Sequence, residues 1–207
     1  MKPAHHPETD ILAAYAAGAL PSGFALVVGA HLEACAQCRG RIAAMERASG
    51  EALQTLPRME LGADALTLTL ARLEAPRAVA AAPAPDDRTF LDRLPLAPKK
   101  WVAPGVWVAA VDTPREAENR VYVLRVGPGA PTARHEHSGL EFCTVLKGAY
   151  RDELGLFQAG DFAAAGADLD HQPVIQGDEE CICLFATEGR LKPRGVLGRL
   201  AFGYADV

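Results

Sequence analysis

No run in this 207-residue sequence is long and apolar enough to span a membrane. No apolar segment follows the opening Met1-Lys2-Pro3-Ala4-His5-His6 that would make a secretory leader. Positive charge is in deficit too. The net charge of -5 excludes the broad basic face that nonspecific nucleic-acid binding needs. Cysteine is scarce and odd in number, at five, so a disulfide framework is not expected. The thiols read instead as ligands, buried apolar groups or redox groups, in a chain expected in the cytoplasm. Apolar residues, by contrast, make up 49% of the sequence, enough for a packed core. The length allows one large domain or two small ones.

The most informative stretch is His31-Leu32-Glu33-Ala34-Cys35-Ala36-Gln37-Cys38, a His-x-x-x-Cys-x-x-Cys pattern. On a helix, His31 and Cys35 stand one turn apart and Cys38 lies three residues further on, so all three share a face. Thiolates and neutral imidazole are the ligands Zn²⁺ prefers, and a closed structural site takes four. The fourth must come from elsewhere, and His5 and His6 are the nearest candidates upstream. Spacing does not choose between them, and the other is expected to be a solvated bystander.

Around this motif the pattern is helical. Residues 7–18 predict a first helix, with Pro7 in its first turn, Ile11, Leu12 and Tyr15 as its stripe and Gly18 as its stop. Ser22 is the expected N-cap of a second helix that carries Phe24, Leu26, Val27, Val28 and His31. A third is expected to begin at Cys38-Arg39-Gly40-Arg41, where the helix dipole would stabilise a thiolate. A unit of about 75 residues this rich in Ala has little apolar volume, and small domains commonly need a metal staple. Residues 64–74 predict a fourth helix capped by Asp64, whose Leu66, Leu70 and Leu73 either close the bundle or await a partner.

The Ala/Pro-rich run at 76–88 reads as a linker between a helical unit at 1–75 and a second unit at 89–207. Each unit is expected to have its own core. Beyond the linker the period changes. Val106-Trp107-Val108, Val121-Tyr122-Val123-Leu124, Cys143-Thr144-Val145-Leu146 and Cys181-Ile182-Cys183-Leu184-Phe185 are short strand-like runs punctuated by Gly and Pro. That pattern predicts an all-β sandwich or barrel. His135 and His137 point the same way on a strand, Glu141 shares their face if the strand stays regular, and His171 follows a turn at Gly160-Asp161. Three imidazoles and a carboxylate suit a divalent transition metal such as Zn, Fe, Mn or Ni. Cys143 is expected to face that metal, and Cys181 and Cys183 to share one face of a later strand.

The run Gly129-x5-His135-x-His137-x3-Glu141-x6-Gly148 resembles the first cupin motif position for position. The second motif is partly kept: Gly160 and His171 are correctly spaced, while Gly166, Asp168 and Ile175 stand where Pro, Gly and Asn are usual. The resemblance implies a jelly-roll barrel with His135, His137, Glu141 and His171 as metal ligands. The N-terminal half resembles the zinc-binding anti-sigma domain, which implies that His6 joins His31, Cys35 and Cys38. The two in this order resemble the ChrR-type anti-sigma factors.

That resemblance implies a multidomain α + β chain, a zinc-stapled helical bundle followed by an all-β cupin barrel. It implies a non-enzymatic regulator that sequesters an extracytoplasmic-function sigma factor and releases it on photo-oxidative, singlet oxygen-type stress sensed through the cupin. Zn²⁺ is expected at the N-terminal site. Zn²⁺ is also the first choice for the cupin, with Fe, Mn or Ni as alternatives. Direct contact with nucleic acid or membrane is not expected. The alternative is a metal-dependent, dioxygenase-like cupin enzyme with an accessory zinc domain.

Overall fold

Four helices open the chain, and sequence punctuation sets their ends. In the computed structural model, which describes residues 2–74, 87–113, 119–130, 132–167, 169–189, 191–194 and 203–204, α1 spans Thr9–Ala16. It stops at Gly18, whose φ of 65° a side chain would disfavour. Helix α2 spans Ser22–Ala34 with Pro21 at the N-cap, so Ser22 is the first helical residue rather than the cap expected for it. Cys35 then leaves the helical region, with φ -110° and ψ 97°, and α3 runs over Ala36–Gln54. The third helix thus starts two residues before Cys38, and the Cys35 sulfur caps it by accepting from the Cys38 N–H at 3.4 Å. Helix α4, Ala65–Glu74, lies where leucine spacing placed it. A short α5, Phe90–Arg93, held by a Thr89–Asp92 capping box, was not foreseen. Residues 76–86 of the expected 76–88 linker, and Asp168, lie outside the described residues.

The β half is a sandwich of separate sheets rather than the closed barrel expected of it. Its main sheet has six strands in the order β1 (Lys100–Ala103), β2 (Val106–Ala110), β3 (Asn119–Val126), β11 (Cys181–Glu188), β5 (Glu141–Lys147) and β8 (Phe162–Ala165). A second sheet joins β10 (Val174–Ile175), β6 (Ala149–Asp152) and β7 (Gly155–Gln158). A third joins β12 (Lys192–Pro193), β4 (His135–Glu136) and β9 (Asp170–His171).

The central strands of the main sheet are buried on both faces, and the period of two sorts their residues between them. Val121 and Val123 of β3, Phe142 of β5, and Ile182, Leu184 and Ala186 of β11 face the N-terminal helices. There they pack with Leu12, Phe24, Val27 and Val28. Tyr122, Cys143, Val145, Cys181 and Cys183 point the other way, into smaller clusters between the sheets. Helix α2 is the interface: it lies on β5, β11 and β3, and it buries Phe24, Val27, Val28, Ala30, His31 and Leu32. The helices therefore do not have a core of their own, as the linker had suggested. They share one with the outer face of the sheet. Thr144 fixes the contact by donating its hydroxyl to the Val27 carbonyl at 2.8 Å, both groups being buried.

Gly23 sets how close α2 can come. A Cβ placed on it would lie 2.4 Å from Cγ2 of Val121, a stiff β-branched side chain. In an exposed helix, Gly→Ala would gain about 0.5–1 kcal/mol. Here the overlap outweighs that gain, and Gly23→Ala should destabilise the chain by about 1–3 kcal/mol in denaturant titration. Val121→Ala in the same chain should recover part of the loss. A Gly23→Ala chain as stable as wild type would contradict this packing.

Candidate metal centres

The break at Cys35 brings the first cluster together. His31 comes from the last turn of α2, Cys35 from the junction and Cys38 from the first turn of α3. The three are neighbours because the chain bends there, not because they share one unbroken helix. The residues before α1 cross this junction and deliver His6. Its Nδ1 lies 3.4 Å from the Cys35 sulfur and 3.5 Å from the Cys38 sulfur. Tetrahedral Zn–S and Zn–N bonds of about 2.3 and 2.1 Å would set such atoms about 3.6 Å apart. His31 turns Nδ1 to the Gly160 carbonyl at 2.7 Å and leaves Nε2 buried without a hydrogen-bond partner. One ligand atom from each of these four residues falls within 4.8 Å of the others.

Electrostatics point the same way. Burial holds the His31 imidazole below its usual pKa, hence neutral and fit to ligate. Burial and the Cys35 thiol push Cys38 up to about 11, so two adjacent thiolates need a cation to hold them. His5 is not the solvated bystander expected of the second histidine. Its Nε2 pairs with the Leu156 carbonyl at 3.0 Å, and its ring lies against Phe157 with centroids 4.4 Å apart.

The second cluster is assembled by neighbouring strands. His135 lies on β4 and pairs across to His171 on β9, while Glu141 opens β5. His137 sits beyond the end of β4, so the four do not share one regular strand. The Nε2 atom of His171 is 3.1 Å from that of His137 and 3.2 Å from that of His135. Bonds of about 2.1 Å to one ion at near-right angles give about 3.0 Å between nitrogens. His137 Nδ1 and Glu141 Oε2 are buried without hydrogen-bond partners, 3.6 Å apart. Two rings are fixed from behind, as metal-ligating imidazoles usually are. His171 Nδ1 pairs with Asp152 Oδ2 at 2.9 Å, and His135 Nδ1 with the Ala133 carbonyl at 3.0 Å.

Burial lowers His135 and His137 to about 4 and raises Glu141 to about 8. The donor set thus combines three imidazoles, two of which burial holds neutral, with a carboxyl whose ionised form burial disfavours and nearby positive charge would favour, which fits a divalent cation. Asp152 had no signal in the sequence, because its role arises only when β6 folds beneath β9.

A cavity of about 950 Å³, counted out to its mouth, opens beside His135, Glu141 and His171, with Val108, Leu124 and Leu191 in its wall. Cys143 lines it on the side of Glu141, as expected, and Cys181 and Cys183, from one face of β11, line it as well. The Cys181 and Cys183 sulfurs are 3.7 Å apart, and burial raises Cys143 above the ordinary thiol range.

Comparison with known proteins follows the same division. Residues 95–191 match the family described as the ChrR cupin-like domain. An anti-sigma-E factor, ChrR of Cereibacter sphaeroides, is 36% identical over 204 residues, covering 95% of each chain. A solved structure of Rhodobacter sphaeroides SigE in complex with the anti-sigma ChrR contains a chain 35% identical to this one. The match has a TM-score of 0.75 and covers 90% of this chain and 100% of that one.

Single substitutions should separate the two centres. Cys35→Ala should lower bound metal by about one equivalent per chain and leave the second centre loaded. His171→Ala should empty the second centre and leave metal at the first. Elemental analysis beside amino-acid quantitation reads both, and a chain in which either change empties both centres would refute their independence as ligand sets.

Proposed function

Because this chain belongs to the ChrR family of anti-sigma factors, we propose that it sequesters an extracytoplasmic-function sigma factor in the cytoplasm and releases it on singlet oxygen-type stress. It is a regulator rather than an enzyme. In this reading Zn²⁺ on His6, His31, Cys35 and Cys38 staples the helices that grip the partner. A divalent ion on His135, His137, Glu141 and His171, Zn²⁺ first with Fe, Mn or Ni as alternatives, forms the sensing centre.

The observation that carries the reading is the surface of α4. No residue of this helix is buried, yet Leu66, Leu68, Leu70 and Leu73 stand 50–69% exposed. The segment leading to it adds exposed Leu53, Leu56, Met59 and Leu61. Isolated exposed leucines are ordinary, but eight large exposed apolar side chains between Leu53 and Leu73 mark a protein contact. A helix offering leucines along its length suits helix-in-groove recognition. The sigma-factor complex formed by the relative supplies the partner class.

Two tests follow in the full chain, since the helices share a core with the sheet. Leu66→Glu with Leu70→Glu should weaken sigma-factor binding at least about tenfold, the scale of a disrupted hot spot. The fold should lose no more than about 0.5 kcal/mol per site, because these side chains are exposed. Unchanged binding in a pull-down and titration would remove α4 from the interface. In a sigma-dependent reporter, His135→Ala should keep inhibition but blunt the response to singlet oxygen, because a sensor shifts the partner equilibrium only through a difference between its own two states. A normal response in that variant would shift sensing to the Cys35 and Cys38 thiolates.

A further inference from the structure

Both clusters hang from one hairpin. On one side, β6 carries Asp152, which holds His171 Nδ1 at 2.9 Å, and β8 pairs along β5, with Ala165 opposite Glu141. On the other side, the turn between β7 and β8 runs directly under the Cys cluster. Gly160 accepts from His31 Nδ1 at 2.7 Å. Asp161 is buried, and its carboxylate is satisfied by three backbone donors. Oδ1 takes the N–H groups of Ala4 at 2.6 Å and His5 at 3.0 Å, and Oδ2 takes that of Gln158 at 2.8 Å. The Phe162 N–H then donates to the His5 carbonyl at 3.2 Å. His6, the next residue, is in the Cys cluster.

We propose that Asp161 is a positioning residue that couples the two centres, tying the orientation of His6 and His31 to the state of the cupin hairpin. The proposal rests on the reading of both clusters as metal centres and needs no partner protein. Of the four N-terminal ligands, two are placed by α2, α3 and the bend between them alone. The other two depend on this turn. His6 is reached through the backbone strap that Asp161 holds, and His31 is aimed by the carbonyl of the residue before Asp161. Groups that aim a metal ligand from behind typically alter metal affinity about 10–100-fold. A turn that answers to one centre and aims ligands of the other makes their occupancies interdependent, and such coupling is reciprocal.

Cobalt(II) in the full chain tests this, since its thiolate charge-transfer band reports the Cys cluster alone and chelator competition gives the affinity. Asp161→Asn replaces an acceptor oxygen with a donor and should lower that affinity about tenfold or more. In wild type, removing the other centre by His171→Ala should shift the affinity about fivefold or more. In the Asp161→Asn background the same removal should leave it where it was. Thr144→Val serves as a control, because the hydroxyl it removes bonds the Val27 carbonyl across the same seam and bonds neither the strap nor the turn, and it should keep wild-type affinity and the shift.

If Asp161→Asn does not fold, His5→Phe decides: it keeps the ring on Phe157, loses the bond to the Leu156 carbonyl and should weaken cobalt binding in the same direction. Wild-type affinity in the strap variants, a His171→Ala shift that is absent in wild type or persists in Asp161→Asn, or an equal loss in Thr144→Val overturns the proposal. Failure to bind a sigma factor would leave it standing.

Discussion

The alternation of side chains along a sheet covered on both faces organises the molecule. Each central strand must supply two apolar faces at once. Val121 and Val123 of β3 go to the helices while Tyr122 turns inward, and on β11 Ile182 and Leu184 go to the helices while Cys181 and Cys183 turn inward. A one-residue slip in register would put cysteines under α2 and bulky aliphatic residues into the cavity. The same alternation places Glu141 on the cavity side of β5 and its neighbour Phe142 under Phe24, with ring centroids 4.8 Å apart. The second centre and the packing of the helices on the sheet are thus on opposite faces of the same strands.

Polar groups in this arrangement are affordable only where something answers them. Asp161 is answered by three N–H groups, and Thr144 by a helix carbonyl. The buried atoms left without hydrogen-bond partners include His31 Nε2, His137 Nδ1 and Glu141 Oε2, one in the first cluster and two in the second. An orphaned buried acceptor costs free energy unless a cation or proton meets it. The fold concentrates that cost at the two places where the sequence gathers histidine.

Much of this was legible because the signals are local. His-x-x-x-Cys-x-x-Cys and the His135, His137, Glu141 spacing are short-range patterns, and both lead to residues that the fold brings together. The choice between His5 and His6 was not legible from spacing, since it depends on which way a strap crosses a helix junction. Nor were Asp152 and the Gly160 carbonyl, whose roles appear only when distant strands meet. The open sandwich in place of a barrel reflects sheet pairings that short strand patterns do not encode. The burial of α2 from several sides, by contrast, is written in its sequence. Phe24, Leu26, Val27, Val28, Ala30 and Leu32 leave α2 almost no polar face, and a helix apolar all round is one buried from several sides.

That property of α2 bears on how freely such a chain can be recombined. A unit with a polar back can be fused to any neighbour through a tether. Here the back of the helical unit is Phe24, Val27 and Val28, fitted against Val121, Phe142 and Ile182 with a glycine at the tightest point. A chimera carrying another β unit would have to bring a surface of matching relief, or else leave those side chains in water. A change of volume on one side of the seam would therefore need a matching change on the other, and the two halves pack as one mechanical piece although the chain between them reads as a tether.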